Sequence, residues 1–199
     1  MEILIKENES QQSEIAVKTE VLNQLEGKVK EWVEDHVDKR KLWFSSDFLP
    51  ADEKMNDDQE TNYKQLRERS RGIKDEVRVA VALNLLTEEG LPHFHRLIAQ
   101  HLGDRSFWSK WNNMWTGEED RHGAVIRDYV RDAHLFSFRE VELMQFHYIE
   151  SGFNPDWDKD PYKVFVYTTL QERATQVSHK NTGKLAGQDE PLLNGILSN

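Results

Sequence analysis

The chain contains no cysteine among its 199 residues, only five prolines and only ten glycines. The lack of cysteine excludes disulfides, thiolate metal ligands and thiol nucleophiles, and it suits a reducing compartment. Long apolar runs are missing too, since none approaches the roughly 18 residues of a membrane-spanning helix. The N-terminus has neither the apolar segment of a signal peptide nor the arginine-rich character of a transit peptide. We therefore expect a cytoplasmic protein without a membrane span.

Positive charge is scarce relative to negative charge. The chain has 26 lysines and arginines against 36 aspartates and glutamates, for a formal net charge of −10. A surface this acidic disfavours nucleic acids and anionic membranes, so we expect neither as a partner. The 37% of hydrophobic and 31% of charged residues are typical of a folded globular protein, and the length suits one sizeable domain.

Helical periodicity dominates the chain, whereas alternation of the strand type is scarce. The apolar spacing predicts helices over about residues 13–38, 66–75, 73–102, 106–133, 137–152 and 161–183, and a last helix from about residue 190. Residues 1–12 are predicted to be a flexible N-terminal tail, and residues 39–60 an extended connector. We therefore expect an all-α bundle of long helices that forms a single domain over residues 13–199.

Several helix starts have recognisable capping residues. Ser137 and Glu140 fit a capping box, in which each side chain bonds the backbone of the other residue. Asp160 precedes Pro161, which suits the first position of a helix. Ser106 or Asp104 is the expected cap of the helix that follows.

One helix carries ionisable residues where its buried stripe should be apolar. The stripe consists of Trp108, Trp111, Trp115, Glu119, His122, Ile126 and Tyr129, at spacings of three and four residues. Burial of an unpaired carboxylate costs several kcal/mol, so Glu119 needs a compensating partner. An intrahelical pair with His122 is one explanation, because the two residues are three apart. A metal ion bound by both is the other.

Two further helices repeat this anomaly. In the first, an apolar stripe leads to Glu88, and Pro92 should kink the helix beside that carboxylate without ending it. In the second, Glu172 shares a face with Phe165, Thr169, Thr175 or Gln176, and His179. Glu172 has the alternative of pairing with Arg173 or facing solvent.

The three carboxylates and the imidazole together predict a metal centre. Glu88, Glu119 and Glu172 would repel one another strongly as buried bare charges, and a divalent cation between them removes that repulsion. Carboxylate and imidazole ligands without sulfur favour iron or manganese over structural zinc. Ferritin-like dinuclear proteins take one Glu from each of two helices and Glu-x-x-His from each of two others. This chain supplies both single glutamates and one Glu-x-x-His, which predicts a ferritin-like antiparallel bundle.

At these residues the chain resembles the soluble acyl-[acyl-carrier-protein] desaturases, a family of ferritin-like di-iron enzymes. The similarity lies in DFLP at 47–50, LRERS at 66–70, TEEGLP at 87–92, WTGEEDRHG at 115–123 and YTTLQERATQVSHKNT at 167–182. It extends from about residue 14 to the end of the chain. EEDRHG and QERAT in this order are its most specific motifs.

The resemblance implies a role for each candidate residue. Glu88 would be a terminal ligand of the iron that His122 also binds. Glu119 would bridge the two irons, and Glu172 would be the terminal ligand of the second. Thr175 would line the oxygen pocket and act as a catalytic residue.

The resemblance also implies an O2-dependent reaction in fatty acid biosynthesis. Two hydrogens would be removed from adjacent methylenes of a saturated acyl chain, which leaves a cis double bond. Acyl carrier protein would deliver the acyl chain, and a ferredoxin-type donor would supply two electrons. The protein would hold the acyl chain bent in an apolar tunnel at a fixed distance from the irons. A homodimer is the implied assembly.

Two further sites are implied for the partners of this reaction. Trp43 lies where the family places a tryptophan on the electron path, and a packed loop aromatic is the alternative. Lys41, Arg67 and Arg69 belong to a basic cluster in an acidic chain. A dock for the acidic carrier protein is one interpretation of this cluster, and a solvated face is the other.

The chain departs from the family pattern in one respect, because Glu119 to His122 is its only Glu-x-x-His. Four of the six expected ligands are therefore present. We expect the second motif within about ten residues after Asn199 in any complete form, which makes the domain incomplete at its C-terminus. The 199-residue chain alone should bind two irons poorly and be inactive. The alternative functions are another di-iron oxygenase or oxidase of this fold, or a non-catalytic iron-binding protein.

Overall fold

The computed structural model describes residues 2–49, 57–153, 160–187 and 189–199, and all regular secondary structure in these ranges is helical. The α-helices are α1 (Glu2–Lys39), α2 (Asp57–Arg71), α3 (Asp75–Ala99), α4 (Phe107–Asp132), α5 (Phe138–Ser151), α6 (Pro161–Ala186) and α7 (Pro191–Ser198). A short 3₁₀ turn covers Ser45–Asp47. The prediction of an all-α chain of long helices is confirmed.

Two helices begin earlier than the sequence predicts. α1 begins at Glu2, so the predicted tail is helical from that residue onwards. The segment contains neither proline nor glycine, and its Glu, Leu, Lys and Gln residues are good helix formers. α2 begins at Asp57 instead of about residue 66, because its polar first turns carry no apolar stripe that would reveal them. Part of the predicted connector, residues 50–56, lies outside the described ranges.

The capping predictions hold at two helix starts and fail at one. The Ser106 hydroxyl accepts a bond from the Ser109 amide (2.9 Å) at the start of α4. Asp160 Oδ1 accepts bonds from the first amides of α6, at 3.0 and 3.3 Å. Ser137 is the N-cap of α5, but its side chain makes no capping bond. The Glu140 amide donates to the Ser137 carbonyl instead (3.0 Å), so the donor that a capping box would use is already engaged.

The described residues group into two compact units, each assembled from separate stretches of sequence. The first, here named the aromatic unit, contains Met1–Lys41, Pro92–Thr116 and Phe153–Gln171. The second, here named the carboxylate unit, contains Leu42–Leu91, Gly117–Gly152 and Glu172–Asn199. The predicted single domain over residues 13–199 stays a prediction.

In the aromatic unit, large rings pack beside α1. The Trp108 indole N–H donates to the Leu22 carbonyl (2.9 Å), which joins α4 to α1. The Trp111 ring centroid lies 5.3 Å from that of Trp115 and 5.9 Å from that of Phe165. The tryptophans at the start of the α4 stripe therefore belong to a packed core.

The carboxylate unit has its own apolar core. This core lies next to the ionisable residues on the buried faces of α3, α4 and α6. Its buried members include Val77, Val81, Leu85, Val125, Ile126, Tyr129, Leu193, Ile196 and Leu197. Leu193, Ile196 and Leu197 form the inward face of α7, and all three are buried. α3 continues through Pro92 to Ala99, as the resumed apolar periodicity predicts.

Candidate metal centre

Three helices bring the predicted ligands to one cavity of about 590 Å³ in the carboxylate unit. α3 contributes Glu88, α4 contributes Glu119 and His122, and α6 contributes Glu172. Each residue continues the buried stripe of its helix, so helical periodicity positions these polar side chains at the core. The same periodicity explains why Glu119 and His122, one helical turn apart, reach the cavity together.

Glu88, Glu119 and His122 form the tightest cluster. Each offers one ligand atom, and these atoms all lie within 4.8 Å of one another. The His122 Nδ1 atom is 2.8 Å from Glu119 Oε2 and 4.0 Å from Glu88 Oε2. Glu88 is 4% exposed and Glu119 is 8% exposed. Two carboxylates are thus removed from water side by side. The intrahelical Glu119–His122 pair that the spacing allows is present, but it leaves Glu88 uncompensated.

Burial makes this cluster electrostatically unfavourable when all its carboxylates are charged. Burial first, and then the neighbouring Glu119 charge, raises the pKa of Glu88 to about 9. Burial and the same Glu119 charge raise the pKa of Glu172 to about 7, against the opposing effect of His122. Glu88 is therefore neutral at pH 7 in the metal-free protein, and its protonation relieves the repulsion that the sequence predicts between charged carboxylates.

His179, on α6, completes the ring of polar groups around Glu88. Its Nε2 atom lies 3.2 Å from Glu88 Oε1 but is not aligned for a hydrogen bond. Burial lowers the pKa of His179 to about 4, so this contact is not an ion pair at pH 7. Sequence reasoning placed His179 on the inward face but did not select it as a site residue. His179 lies seven positions, or two helical turns, after Glu172. This spacing indicates that the two side chains share one face of the helix.

The inward face of α6 is offset by one residue from the predicted one. Thr169, which the sequence places inward, is exposed, and Thr168 is buried. Thr175 lines the cavity, and its hydroxyl donates to the Glu172 carbonyl (3.1 Å). The Thr175 side chain therefore lies one turn from the Glu172 carboxylate, at the wall of the same cavity.

Trp43 lines the cavity and also packs against the apolar core. Its ring stacks on the imidazole of His122, with centroids 5.4 Å apart and planes 8° apart. The Arg121 guanidinium covers the ring at 5.0 Å and donates to the Trp43 carbonyl (3.1 Å). The indole is thus fixed in contact with a predicted metal ligand.

The basic residues predicted to dock a carrier protein do not share one environment. The Arg67 Nε atom donates to the Asp132 carbonyl (3.1 Å). The Arg69 Nε atom lies 2.9 Å from Oε2 of Glu190, a carboxylate with 0% exposure. Both arginines therefore hold parts of the carboxylate unit together, whereas Lys41 is exposed. None of the three lines the cavity.

The donor set fits a divalent cation. Glu88 Oε2 and His179 Nε2 are buried and lack a hydrogen-bond partner among the described residues. Buried polar atoms without partners are rare in folded proteins, and an ion is one of their recognised partners. A cation would also offset the repulsion that raises the pKa of Glu88 and of Glu172. Carboxylate oxygens with imidazole suit iron or manganese.

The fold and the site define an all-helical protein with a cavity, lined by carboxylates and histidines, that could hold a metal ion. A model of the family described as fatty acid desaturase matches residues 17–199. The chain therefore belongs to the fatty acid desaturase family, an all-helical bundle family, as the sequence motifs predict.

Named relatives share this similarity. A chloroplastic stearoyl-[acyl-carrier-protein] 9-desaturase of Gossypium hirsutum is 34% identical over 181 residues, which cover 85% of this chain and 44% of that protein. The chloroplastic acyl-[acyl-carrier-protein] desaturase 6 of Oryza sativa subsp. japonica is 37% identical over 183 residues, or 85% of this chain and 43% of that protein. The chain thus spans less than half the length of these relatives. None of the described helices is both long and apolar enough to cross a membrane.

Proposed function

We propose that this chain is part of an acyl-[acyl-carrier-protein] desaturase, an oxidoreductase that introduces a cis double bond into a carrier-bound saturated acyl chain. The observation that carries the proposal is the convergence of Glu88, Glu119 and His122 on one cavity in a member of this family. The names of the relatives support the acyl substrate and its carrier.

In this proposal, iron is the metal that the cavity holds. Glu88, Glu119, His122 and Glu172 would hold the iron, with Glu88 and His122 at one side of Glu119 and Glu172 as a further ligand. The bound iron would supply two-electron oxidising chemistry with O2, in which the acyl chain loses two hydrogens and O2 takes up two further electrons and two protons to give water. A complete centre takes a second Glu-x-x-His besides the one in this chain.

The residues of the chain prepare the site for this chemistry. Glu88 holds a proton at pH 7 in the metal-free protein, because its pKa is about 9. Metal binding must therefore release that proton, since only a carboxylate binds a hard cation well. Neutral His179 lies beside the Glu88 carboxyl, with its Nε2 atom 3.2 Å from Oε1. Thr175 lines the wall where O2 and the acyl chain would approach.

The proposed partners follow from the same reaction. The acyl chain arrives on acyl carrier protein, two electrons come from a ferredoxin-type donor, and the enzyme acts as a homodimer in the cytoplasm. The lack of cysteine suits that reducing compartment. We retain Lys41, Arg67 and Arg69 as the proposed carrier dock, but Lys41 is the cleanest probe of it. Reversal of Arg69 would also leave the buried Glu190 without its partner.

Turnover tests the proposed function directly. A polypeptide extended beyond Asn199 through a second Glu-x-x-His should convert stearoyl-acyl carrier protein to a cis-unsaturated product with reductant and O2. The Glu119→Gln variant of that polypeptide should form no product, because it lacks the bridging carboxylate. Asp120→Asn removes the exposed neighbouring carboxylate and should retain turnover. Full activity in the 199-residue chain alone, or in the Glu119→Gln variant, would show that the ligands are misassigned.

The electron-path role of Trp43 is separable from metal binding. In the extended polypeptide, Trp43→Leu removes the ring that stacks on His122 and should leave the iron content unchanged. Reduction of the site by ferredoxin should slow by about tenfold or more, a barrier increase of ~1.4 kcal/mol. Phe44→Leu is the matched control, because Phe44 is the exposed neighbouring aromatic. Equal reduction rates for both variants, measured by stopped-flow absorbance, would assign Trp43 a packing role only.

A further inference from the structure

α7 forms part of the wall of the cavity, although none of the predicted metal ligands lies on it. Ile196, Leu197 and Ser198 line the cavity, and Ile196 and Leu197 are both buried. The part of the wall that α7 supplies is therefore mainly apolar. An apolar wall limits the access of water to a metal site and lowers the local dielectric constant. The position of α7 should therefore decide how much water reaches an ion in the cavity.

A buried ion pair holds the start of α7. Glu190 is the N-cap of the helix, and its side chain accepts a bond from the Leu192 amide (3.1 Å). The Arg69 side chain, on α2, donates to the same carboxylate through Nε (2.9 Å) and through Nη2 (3.5 Å). Because a buried carboxylate is strongly unfavourable without its cationic partner, this pair fixes the first turn of α7 against α2.

α6 makes a second close contact with α7, at two glycines. A Cβ at Gly183 would lie 3.1 Å from Asn194 Oδ1 and 3.2 Å from Leu197 Cβ. A Cβ at Gly187 would lie 3.1 Å from Asn194 Cγ. A larger residue at either position would therefore push against α7. A Cβ at Gly195, on α7 itself, would meet nothing within 4 Å.

We propose that Arg69 and Glu190 are positioning residues of the metal centre, which hold α7 so that Ile196 and Leu197 keep water away from the bound ion. Neither Arg69 nor Glu190 lines the cavity, so the pair acts through the helix. Ile196 lies six residues after Glu190, or ~9 Å along α7. A displacement of the first turn therefore reaches the wall of the cavity. This proposal rests on the proposed function for its metal, but the anchoring of α7 can be measured without metal.

Hydrogen exchange in the metal-free 199-residue chain tests the anchoring. Arg69→Gln should speed the exchange of the α7 amides at least about tenfold, because the helix opens locally once its start is released. Exchange around Glu119 on α4 should not change. Arg67→Gln is the matched control, because Arg67 donates to the Asp132 carbonyl of α4 instead. Arg69→Lys keeps the positive charge and should restore most of the protection. Equal exchange in Arg69→Gln and Arg67→Gln would overturn the proposal.

A double variant keeps this test informative if Arg69→Gln does not fold. R69Q/E190Q removes both charges of the pair and leaves no buried charge without a partner. It should release the α7 amides in the same way as Arg69→Gln. Full protection of α7 in the folded double variant would show that packing against α6 alone holds the helix, and would overturn the proposal.

Bound Mn²⁺ in the same chain tests whether the wall matters to the site. Water-proton relaxation reports how many water molecules contact the ion, and it should rise in Arg69→Gln because a displaced α7 admits water. The Mn²⁺ affinity should fall about threefold or more, which is less than the 10–100-fold effect of a group that bonds a metal ligand. Gly183→Ala should act in the same direction without a change of charge, since its Cβ pushes against Leu197. Gly195→Ala is its control and should change neither quantity.

The two arms separate this proposal from the proposed function. Faster exchange of α7 in Arg69→Gln, together with unchanged relaxation and affinity of Mn²⁺, would reduce the ion pair to a structural role and overturn the proposal. Failure of the unchanged chain to bind Mn²⁺ would instead overturn the metal centre of the proposed function. The exchange of α7 would then still decide whether Arg69 and Glu190 hold this wall of the cavity.

Discussion

Metal-free protein should lose stability as the pH rises from about 7 to about 9. Glu88 has a pKa of about 9 in the folded chain, against an ordinary value of 4.5. Between these values the folded state holds a proton that the unfolded state has released. Stability therefore falls with rising pH, and the full penalty is present only above the folded pKa. Each pKa unit corresponds to ~1.4 kcal/mol, so the loss should reach the order of a few kcal/mol.

Glu172 and His179, the other shifted groups of the cavity, contribute little to the change in stability above pH 7. Glu172 titrates at about 7 in the folded chain, so its contribution to the fall is largely complete at that pH. His179 has its pKa lowered from 6.5 to about 4, so it makes stability rise with pH over that lower range and adds no slope above it. Among the cavity residues, Glu88 therefore accounts for a decline above pH 7. Burial also raises the pKa of the neighbouring Glu89, so a variant of Glu88 is needed to assign the decline.

Glu88→Gln should abolish this decline and stabilise the metal-free protein at pH 8. The amide is similar in size to the protonated carboxyl and carries no charge to repel Glu119. Urea unfolding at a series of pH values in the presence of a chelator measures the effect. Asp120→Asn, which removes an exposed carboxylate beside the site, should keep the decline. If Glu88→Gln retained the same slope, the buried cluster would not be the source of the pH dependence.

Glu119→Gln should weaken divalent-metal binding at least about 100-fold, because even residues that only support a metal ligand contribute 10–100-fold. Mn²⁺ serves as an O2-stable probe for calorimetric titration of the 199-residue chain. The unchanged chain should release protons on binding, seen as a dependence of the observed heat on the buffer. Its thermal midpoint should rise with Mn²⁺, and that rise should vanish in the variant.

The same substitution should have the opposite effect without metal. Glu119→Gln removes one of the charges that raise the pKa of Glu88, so the metal-free variant should be more stable than the unchanged chain at pH 8. A structural carboxylate would instead destabilise the protein when removed, whether metal is present or not. Asp120→Asn should change neither the Mn²⁺ affinity nor the stability. Undiminished Mn²⁺ affinity in Glu119→Gln would exclude this carboxylate as a ligand.

The stripe pattern predicts the helices and the place of Glu88, Glu119 and His122 because helical periodicity is a local property of sequence. It fails where a side chain's partner is distant in sequence. Arg69 belongs by composition to a basic surface cluster, but Glu190, which binds it, lies on the cap of another helix. The offset between Thr168 and Thr169 has a similar cause, because the exact inward direction depends on the neighbouring helices.

His179 shows a second limit of prediction from the sequence. Its inward position is visible in the periodicity of α6, but its contact with Glu88 depends on how α3 approaches α6. Sequence alone therefore predicts the residue types at the centre better than the contacts that tune them.

Anomalous diffraction from crystals soaked anaerobically with Fe²⁺ tests the metal centre most directly. The predicted result is an iron peak within bonding distance of Glu88, Glu119 and His122, accompanied in an extended polypeptide by a second peak that Glu119 and Glu172 share. An iron peak elsewhere on the chain, or a fully ordered cavity without iron at saturating Fe²⁺, would contradict it.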